Sequence, residues 1–557
     1  LELAHDRHNY AATASRILGE SLKPLPGMAK INLTLDRFAH NLEKLVRMDK
    51  LSSPQNGGIS CYQAIFGVYT SLRKLFDHEK KMALALMDAK DPRASYKAER
   101  EVLCKKSGRP RLNAGNRLGL SLEYWMDRRH LFEDGQGASS PKDKDKMDID
   151  PSPSDYPEDK DPSNHKIYSV TIECESSPSS MYTPIRISDN WISDAVEKAP
   201  DAPPDMNTNN SINVLLGQNV KQNLDWQDPP ATYLPSASAE GDNAQNNDAL
   251  NIANAEGRLP NIRFVAKFNP PLVLPLTVLV TIRQQFGLEI GEIHATTFAG
   301  LVLRPGAPDP GIAAAMPGTA TQESPHIYEL QSTKAVVVPG KNGETETDKT
   351  HQSSLYIPRG TEYAGVLESL PFAHPRQLID IFPTLRQYAF VTSLMQRGFG
   401  PDTDNKTNTP AAPQPISPPA TPSAAEDLAQ QREQQLDVSL YYAPPAPRLR
   451  IDIPRSAPSE DVEMQDSDAY TPATAQADLL NLLLGHTPPP QPISVTLDVL
   501  ANAEVVVTGG NVAVGGVDGG GEAKEVEEER EKRVARALEI CMDVDVWAEW
   551  VRREVGA

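Results

Sequence analysis

Cysteine is scarce in this chain: Cys61, Cys104, Cys174 and Cys541 are scattered over 557 residues and no two stand as C-x-x-C. That spacing provides no zinc framework and fits a reducing compartment. Long apolar runs are missing as well. The longest, Leu272 to Ile282, is broken by Pro275 and, at about eleven residues, falls short of the roughly twenty that span a bilayer. Residues 1–30 hold no basic region followed by an apolar core, so no secretory signal is read there. The pattern predicts a soluble, intracellular chain with no membrane partner. It opens on Leu1 rather than Met, which leaves its true start open.

Positive charge is also in short supply. Lys and Arg number 55 against 75 Asp and Glu, a formal balance of −20. A nucleic-acid surface exchanges counterions for many cations, so wholesale phosphate binding is disfavoured and only a local basic patch is compatible with the composition. The motifs that advertise catalysis are absent: there is no G-x-S-x-G, no H-E-x-x-H and no glycine loop ending in Gly-Lys-Ser or Gly-Lys-Thr. The glycine-rich stretch 509–521 carries no lysine and reads as a flexible hairpin connection rather than a phosphate cradle. His5 and His8 lack a third ligand nearby and read as solvated. Asp143, Asp145, Asp148 and Asp150 alternate with lysines and lack the central glycine and closing glutamate of a calcium loop. No catalytic residue, metal or cofactor is expected.

What the chain does have is proline, 49 residues of it, gathered with Ser, Asp and Asn into stretches that bury too little apolar surface to offset the entropy of ordering. Between them lie periodic segments. From Ile31 to Met48, Leu35, Phe38, Leu42, Leu45 and Val46 recur at helical steps, and Tyr62, Ile65, Phe66, Tyr69, Leu72 and Phe76 repeat the pattern after a Gly-containing break, predicting an antiparallel helical pair. The period then becomes two. Leu118 to Met126, Tyr168 to Cys174 and Ile262 to Phe268 read as strands, the first two pairing across a disordered insertion at 133–164. Pro270 and Pro271 are expected to end the third, with a short buried helix starting near Pro275. Strands are expected at His326–Glu329 and Ala335–Val338, and a helix from Pro375 to Arg397 interrupted at Pro383. Strands at Ile493–Leu497 and Val505–Thr508 and a terminal helical segment with Val534, Leu538, Cys541, Trp547 and Trp550 complete the reading.

The fold class is therefore α+β, an N-terminal helical region followed by mixed β-rich domains with short helices, interrupted by long disordered insertions. The expected divisions are a helical region at 1–105, a β-containing region at 106–200, a polar linker at 201–257 and an α+β region at 258–398. A disordered Pro/Ala/Ser/Gln linker at 399–475 and a C-terminal α+β segment at 476–557 follow.

Two short motifs suit binding. Lys105-Lys106-Ser107-Gly108-Arg109-Pro110-Arg111 has a Gly-Arg-Pro core like that of an AT-hook, whose arginines enter a narrow minor groove. Its alternatives are a turn, a partner-facing basic loop or a nuclear-import signal. Leu479, Leu482 and Leu483 spell L-x-x-L-L, with a second register at Leu480, Leu483 and Leu484. On a helix either set puts three leucines on one face, for a partner's groove or for packing against the following strands. Ser140, Ser152, Ser417, Thr421 and Thr471 each precede proline in the polar stretches, where phosphate would add negative charge.

The N-terminal helices leading to Ser107-Gly108-Arg109-Pro110 and Leu118-Gly119-Leu120-Ser121-Leu122-Glu123-Tyr124-Trp125 resemble the N-terminal part of subunit 1 of the fungal Mediator of RNA polymerase II transcription. Phe264-Val265-Ala266 with Pro270-Pro271-Leu272 is similar to that family's middle. His374-Pro375-Arg376 with Leu385-Arg386-Gln387 is similar to a later segment, and Trp547-Ala548-Glu549-Trp550-Val551-Arg552 to its C-terminal end. The resemblance implies a non-enzymatic nuclear coactivator subunit in Mediator's middle module. Its partners would be other middle-module subunits, transcription activators or repressors and, indirectly, RNA polymerase II, with no direct nucleic-acid binding expected. Animal members bind nuclear receptors through L-x-x-L-L boxes, the role the resemblance would give Leu479, Leu482 and Leu483. The alternative is a chromatin-associated protein that binds DNA through Lys105, Lys106, Arg109, Pro110 and Arg111.

Overall fold

The computed structural model describes residues 10–23, 35–53, 59–88, 91–113, 118–127, 167–177, 185–198, 223–233, 259–288, 296–303, 326–338, 347–358, 363–400, 435–443, 446–455, 491–511 and 521–556. His5, His8, the acidic run 143–150, the Ser-Pro and Thr-Pro sites, the 133–164 insertion and Leu479 to Leu484 lie outside the described residues. The chain opens with helices α1 (Tyr10–Ser21), α2 (Asp36–Ser52), α3 (Cys61–Ala85) and α4 (Ala94–Lys105). Strands β1 (Arg109–Leu112), β2 (Leu120–Met126), β3 (Ile167–Ser176), β4 (Ile192–Glu197), β5 (Leu224–Trp226) and β6 (Ile262–Pro275) follow. Helix α5 (Leu276–Gln285), strand β7 (Thr296–Thr297) and helix α6 (Phe298–Leu303) lead to strands β8 (His326–Val338), β9 (Thr347–Pro358) and β10 (Tyr363–Phe372). Helix α7 (Pro375–Phe399) precedes β11 (Gln435–Ala443), β12 (Ala446–Ile453), β13 (Ile493–Val499) and β14 (Val505–Gly510), and helices α8 (Gly521–Cys541) and α9 (Val544–Gly556) close the chain. The α+β class is thus observed.

Two compact units divide these elements, and neither is a continuous stretch of sequence. The first takes residues 1–294, 364–390 and 501–503; the second takes 295–363, 391–500 and 504–557.

In the first unit the sheet runs β1-β2-β3-β6-β10. The expected helical pair forms, and its capping is local. Ser60 accepts the amide of Gln63 at the start of α3, and Ser52 at the end of α2 accepts the amide of Cys61 at 3.1 Å. Ile65, Val68, Leu72 and Phe76 on α3 are buried, and the helices pack on β1, β2 and β3. Strands β2 and β3 pair antiparallel, Leu120 opposite Ile172, as the alternation predicted across the insertion. Simple alternation fails midway along β2. A register shift between Glu123 and Trp125 lets successive residues meet the same helix: Tyr124 stacks on Phe382 at 5.1 Å and Trp125 meets Phe390 edge-on at 6.2 Å, both on α7.

Three expectations need correction, two of them about proline. Strand β6 continues through Pro270 and Pro271 to Pro275. These two exposed prolines sit where the ladder is already irregular, since pairing with β3 ends at Asn269 and pairing with β10 jumps from Lys267 to Leu272. No amide hydrogen is needed there. Helix α7 likewise runs uninterrupted through Pro383. Ile379, Ile381, Phe382 and Leu385 around it are all buried, and that packing outweighs the roughly 3 kcal/mol an interior proline costs. The polar region 201–257 also contributes an element, β5, which pairs with β4 by Ile192 opposite Trp226 and buries Leu224 with Leu75, Ile192 and Val196.

The second unit holds a six-stranded sheet in the order β14-β13-β12-β11-β9-β8. Its strands pair antiparallel except β9 and β11, which run parallel with Leu355 opposite Val438. Strands β11 and β12 fall inside the stretch expected to be a disordered linker at 399–475. There Leu436 and Val438, then Leu449, Ile451 and Ile453, alternate inward and are fully buried; two short period-two runs were masked by the surrounding Pro and Gln. The two strands expected at 326–338 are one, β8. The glycine-rich stretch 509–521 is not the expected hairpin connection: β13 and β14 are joined by residues 500–504, and 511–520 lies between β14 and α8. Among the described residues no helix is long and apolar enough to cross a membrane.

Candidate functional site

The Lys105–Arg111 segment belongs to the first unit, and there it is neither a turn nor a solvent-facing loop. Lys105 ends α4, and Arg109, Pro110 and Arg111 form β1, the edge strand on β2. Pro110 is tolerated on an edge because its missing N–H faces away from the ladder. Gly108 makes the entry. Its φ is +88°, and a Cβ there would lie 2.6 Å from the carbonyl oxygen of Glu123, so only glycine fits.

Both arginines point inward. Arg109 Nε donates to Glu123 Oε2 at 2.7 Å and Nη1 to Glu99 Oε1 at 3.1 Å, with only 2% of the side chain exposed. Arg111 Nη1 donates to Glu123 Oε1 at 3.2 Å, and Lys80 Nζ closes the cluster on Glu99 Oε2 at 2.9 Å. Burial pushes the Glu99 and Glu123 carboxyls up, but the cations overcome it: Arg109 and Lys80 hold Glu99, and Arg109 and Arg111 hold Glu123, below the ordinary glutamate value. The expectation of a minor-groove hook is thus corrected on physical grounds: its arginines are spent on buried carboxylates of α4 and β2. Lys105 alone in this motif is well exposed, and it pairs with Glu101 at 3.0 Å. Behind the cluster, Glu79 accepts the Ser107 amide at 3.0 Å, and burial raises its carboxyl.

A second buried cation escaped the sequence reading. Arg386 on α7 is 0% exposed. Its Nε donates to Tyr124 O at 2.8 Å, Nη2 to Leu103 O at 3.0 Å and to Lys106 O, and Nη1 to Asn502 Oδ1 at 2.7 Å. Those carbonyls at the end of α4 have no helical partner, so a five-donor guanidinium replaces it. Burial lowers the guanidinium to about 10. A lone arginine in an apolar helical stripe was the available signal.

A surface open to another molecule lies in the second unit. Asp543 caps α9, its Oδ1 accepting the amides of Asp545 at 3.1 Å and Val546 at 3.3 Å, while its Oδ2 takes Lys334 Nζ of β8. Ser353 donates to Asp545 Oδ1 at 2.6 Å, and Lys349 and His351 reach Glu549, both at 3.1 Å. Burial raises the Asp545 carboxyl; burial also works against ionised Glu549, but His351, Arg552 and Lys349 bring it down to about 2. Trp547 is fully buried and donates from Nε1 to Val534 O at 3.0 Å, tying α9 to α8.

With the two helices held this way, a trough of about 710 Å³ opens between them. Its walls are carbon: Ala537, Ile540, Val546, Trp547 and Trp550. Ile540 is 42% exposed and Val546 40%. Lys532, Arg533 and Arg536 edge it together with Glu529. Such a trough can take up an apolar side chain of another molecule while presenting cations beside it. The sequence reading had Trp547 and Trp550 on the terminal helical segment but not the trough, which depends on the angle set at Asp543. Leu479, Leu482 and Leu483 lie outside the described residues.

A family model described as Mediator of RNA polymerase II transcription subunit 1 matches residues 2–400. No curated protein matches.

Proposed function

Since the chain belongs to the family of subunit 1 of the Mediator of RNA polymerase II transcription, and is therefore a Mediator subunit in transcription regulation, we propose that it works as a non-catalytic bridge within the complex's middle module. In this reading it sits in the nucleus among other middle-module subunits. It receives transcription activators or repressors through protein surfaces and reaches RNA polymerase II indirectly, through its neighbours.

The observation that carries the reading is the family match over 2–400, which takes in the first unit's helices and all of its sheet. The buried destination of Arg109 and Arg111 supports protein contact over DNA contact, because a phosphate surface needs solvent-facing cations. Affinity purification of the tagged full chain from nuclear extract tests it: Mediator subunits co-purify in stable proportion. A purification that recovers none of them overturns the reading. Crosslinks within the same material locate the surfaces used.

A further inference from the structure

The four cysteines are held in two different ways. Cys104 Sγ donates to Met126 O at 3.8 Å and Cys541 Sγ to Asp543 O at 3.3 Å, so each of these thiols is tied to a backbone carbonyl. Cys61 and Cys174 have each other instead. Their side chains are joined by a hydrogen bond, and they are 0% and 1% exposed. Cys61 is the first residue of α3, and Cys174 lies on β3 opposite Phe264 of β6. Two thiols far apart in sequence therefore meet where the helical layer of the first unit packs on its sheet.

The two sulfurs are not equivalent. The Cys174 thiol donates to Cys61, and this bond draws Cys61 below the ordinary thiol value although burial works against it. The same bond, together with burial, holds Cys174 well above that value. The free amides of the first turn of α3 also favour negative charge on the Cys61 sulfur. That turn is fixed by Ser52, whose Oγ accepts the Cys61 amide at 3.1 Å. One sulfur is thus set up as the nucleophile and the other as the thiol that follows it. Among the described residues no three His, Cys, Asp or Glu gather as metal ligands, so oxidation is the chemistry open to this pair.

We propose that Cys61 and Cys174 form a reversible disulfide when the chain meets a peroxide, clamping the start of α3 to β3. The Cys61 thiolate attacks the O–O bond of the peroxide; an S–O bond forms, and one oxygen leaves as water after taking up a proton. The Cys174 sulfur then attacks the Cys61 sulfenic acid, the S–S bond forms, and the hydroxyl leaves as a second water with the Cys174 proton. The two thiols lose two electrons and two protons, and the peroxide is reduced to two waters. A small thiol returns the pair to its starting state by exchange. In a chain without a disulfide framework such a bond is a response to oxidation rather than a permanent staple. Burial sets its rate: Cys61 sits in the first turn of a helix, and the oxidant enters by local opening there. The clamp goes beyond the assembly role proposed above and does not depend on it.

The test treats the full chain with hydrogen peroxide, removes the excess, alkylates the remaining thiols under denaturing conditions and maps unreduced peptides by mass spectrometry. All four cysteines of the untreated chain should be alkylated. After peroxide, Cys61 and Cys174 should escape labelling and appear as one linked pair of peptides, two hydrogens lighter, which dithiothreitol returns to the labelled state. The oxidised chain should melt at a higher temperature, because a cross-link between residues so far apart restricts the unfolded chain. Cys174→Ser should abolish the linked pair and leave Cys61 as a sulfenic acid that dimedone traps. Should that variant not fold, the wild-type peptide map decides by itself.

Full alkylation of Cys61 and Cys174 after peroxide overturns the proposal. So does Cys61 carried to a sulfinic acid with no linked peptide, or a bond that joins either residue to Cys104, to Cys541 or to a second chain. An oxidised form that melts no higher than the reduced one overturns the clamp.

Discussion

Arg109 and Glu123 face each other across the β1–β2 ladder as register partners, their side chains joined at 2.7 Å in the interior of the first unit. A buried ion pair is a weak source of net stability, but breaking one is costly, because the remaining charge stays in a medium that cannot solvate it.

Arg109→Ala should therefore destabilise the first unit by about 3–5 kcal/mol, leaving Glu123 and Glu99 short of their shared cation. Arg109→Lys should recover part of this, since one ammonium cannot span both carboxylates in the fork that a guanidinium provides. Urea denaturation followed by tryptophan fluorescence measures both. Gel shifts of an AT-rich duplex at low salt should be no different between wild type and a folded Arg109 variant.

Arg386 presents a related case with neutral partners. Arg386→Met should cost about 3 kcal/mol or more, because buried carbonyls at the end of α4 and on β2 lose their donors at about 1–3 kcal/mol each. Asn502→Ala should cost less, on the order of 1 kcal/mol, since it removes one acceptor from a cation that keeps its others. Differential scanning calorimetry distinguishes the pair.

Gly108→Ala combines an unfavourable φ with a Cβ driven against the Glu123 carbonyl at 2.6 Å. A loss of about 2–3 kcal/mol is expected. The same exchange at Gly398, where a Cβ would meet nothing within 4 Å, should be neutral or slightly stabilising. Melting temperatures of the two variants side by side make the comparison.

Acid titration should expose Glu549. Its folded value of about 2 lies below the ordinary 4.5, so its stabilising contribution is fully present above 4.5 and lost as pH falls toward 2. With a difference of that size the contribution is about 3 kcal/mol. Glu549→Gln should thus destabilise the second unit at pH 7 and differ little from wild type near pH 2. Asp545 carries the opposite sign: its raised carboxyl makes ionisation a net cost in the fold, so wild type is relieved of that cost as pH falls below the folded value. Denaturation midpoints between pH 2 and 7 read both slopes.

The trough should be separable from the core that supports it. Ile540→Glu, at a position 42% exposed, should change stability by no more than about 0.5 kcal/mol. Trp547→Ala, at a fully buried position bonded to Val534, should cost about 3–5 kcal/mol. Guanidinium unfolding curves of the two variants decide this.

Much of the fold was legible locally. Tyr62 to Phe76 announced α3, and the alternations at Leu118, Tyr168 and Ile262 announced β2, β3 and β6, because a buried face imposes its period on the residues that form it. Leu35 to Val46 placed α2 but not its inner face, which is Asn41, Leu45, Met48 and Ser52 while Leu35, Leu42 and Val46 stay exposed. Elements were missed where composition or a breaker outweighed the pattern. Leu436 to Ile453 lay in a Pro- and Gln-rich background, and Pro270, Pro271 and Pro383 looked like stops although pairing gaps and packing accommodate them. The candidate site was less legible. Trp547 and Trp550 stood out, but Ile540 and Val546 read as ordinary helix residues.

The sequence by itself determined the α+β class, the helical start and the lack of catalytic motifs, since these follow from residue type and short-range spacing. Only the tertiary structure decided where the basic motif goes. Arg109 looked like a hand held out to DNA until Glu99 and Glu123, 10 and 14 residues away, proved to be its partners. It likewise decided that β9 and β11 run parallel and that α8 and α9 open a trough. Charge partners, strand register and interhelix angles depend on which surfaces meet, and that is settled by the collective burial of residues far apart in the chain.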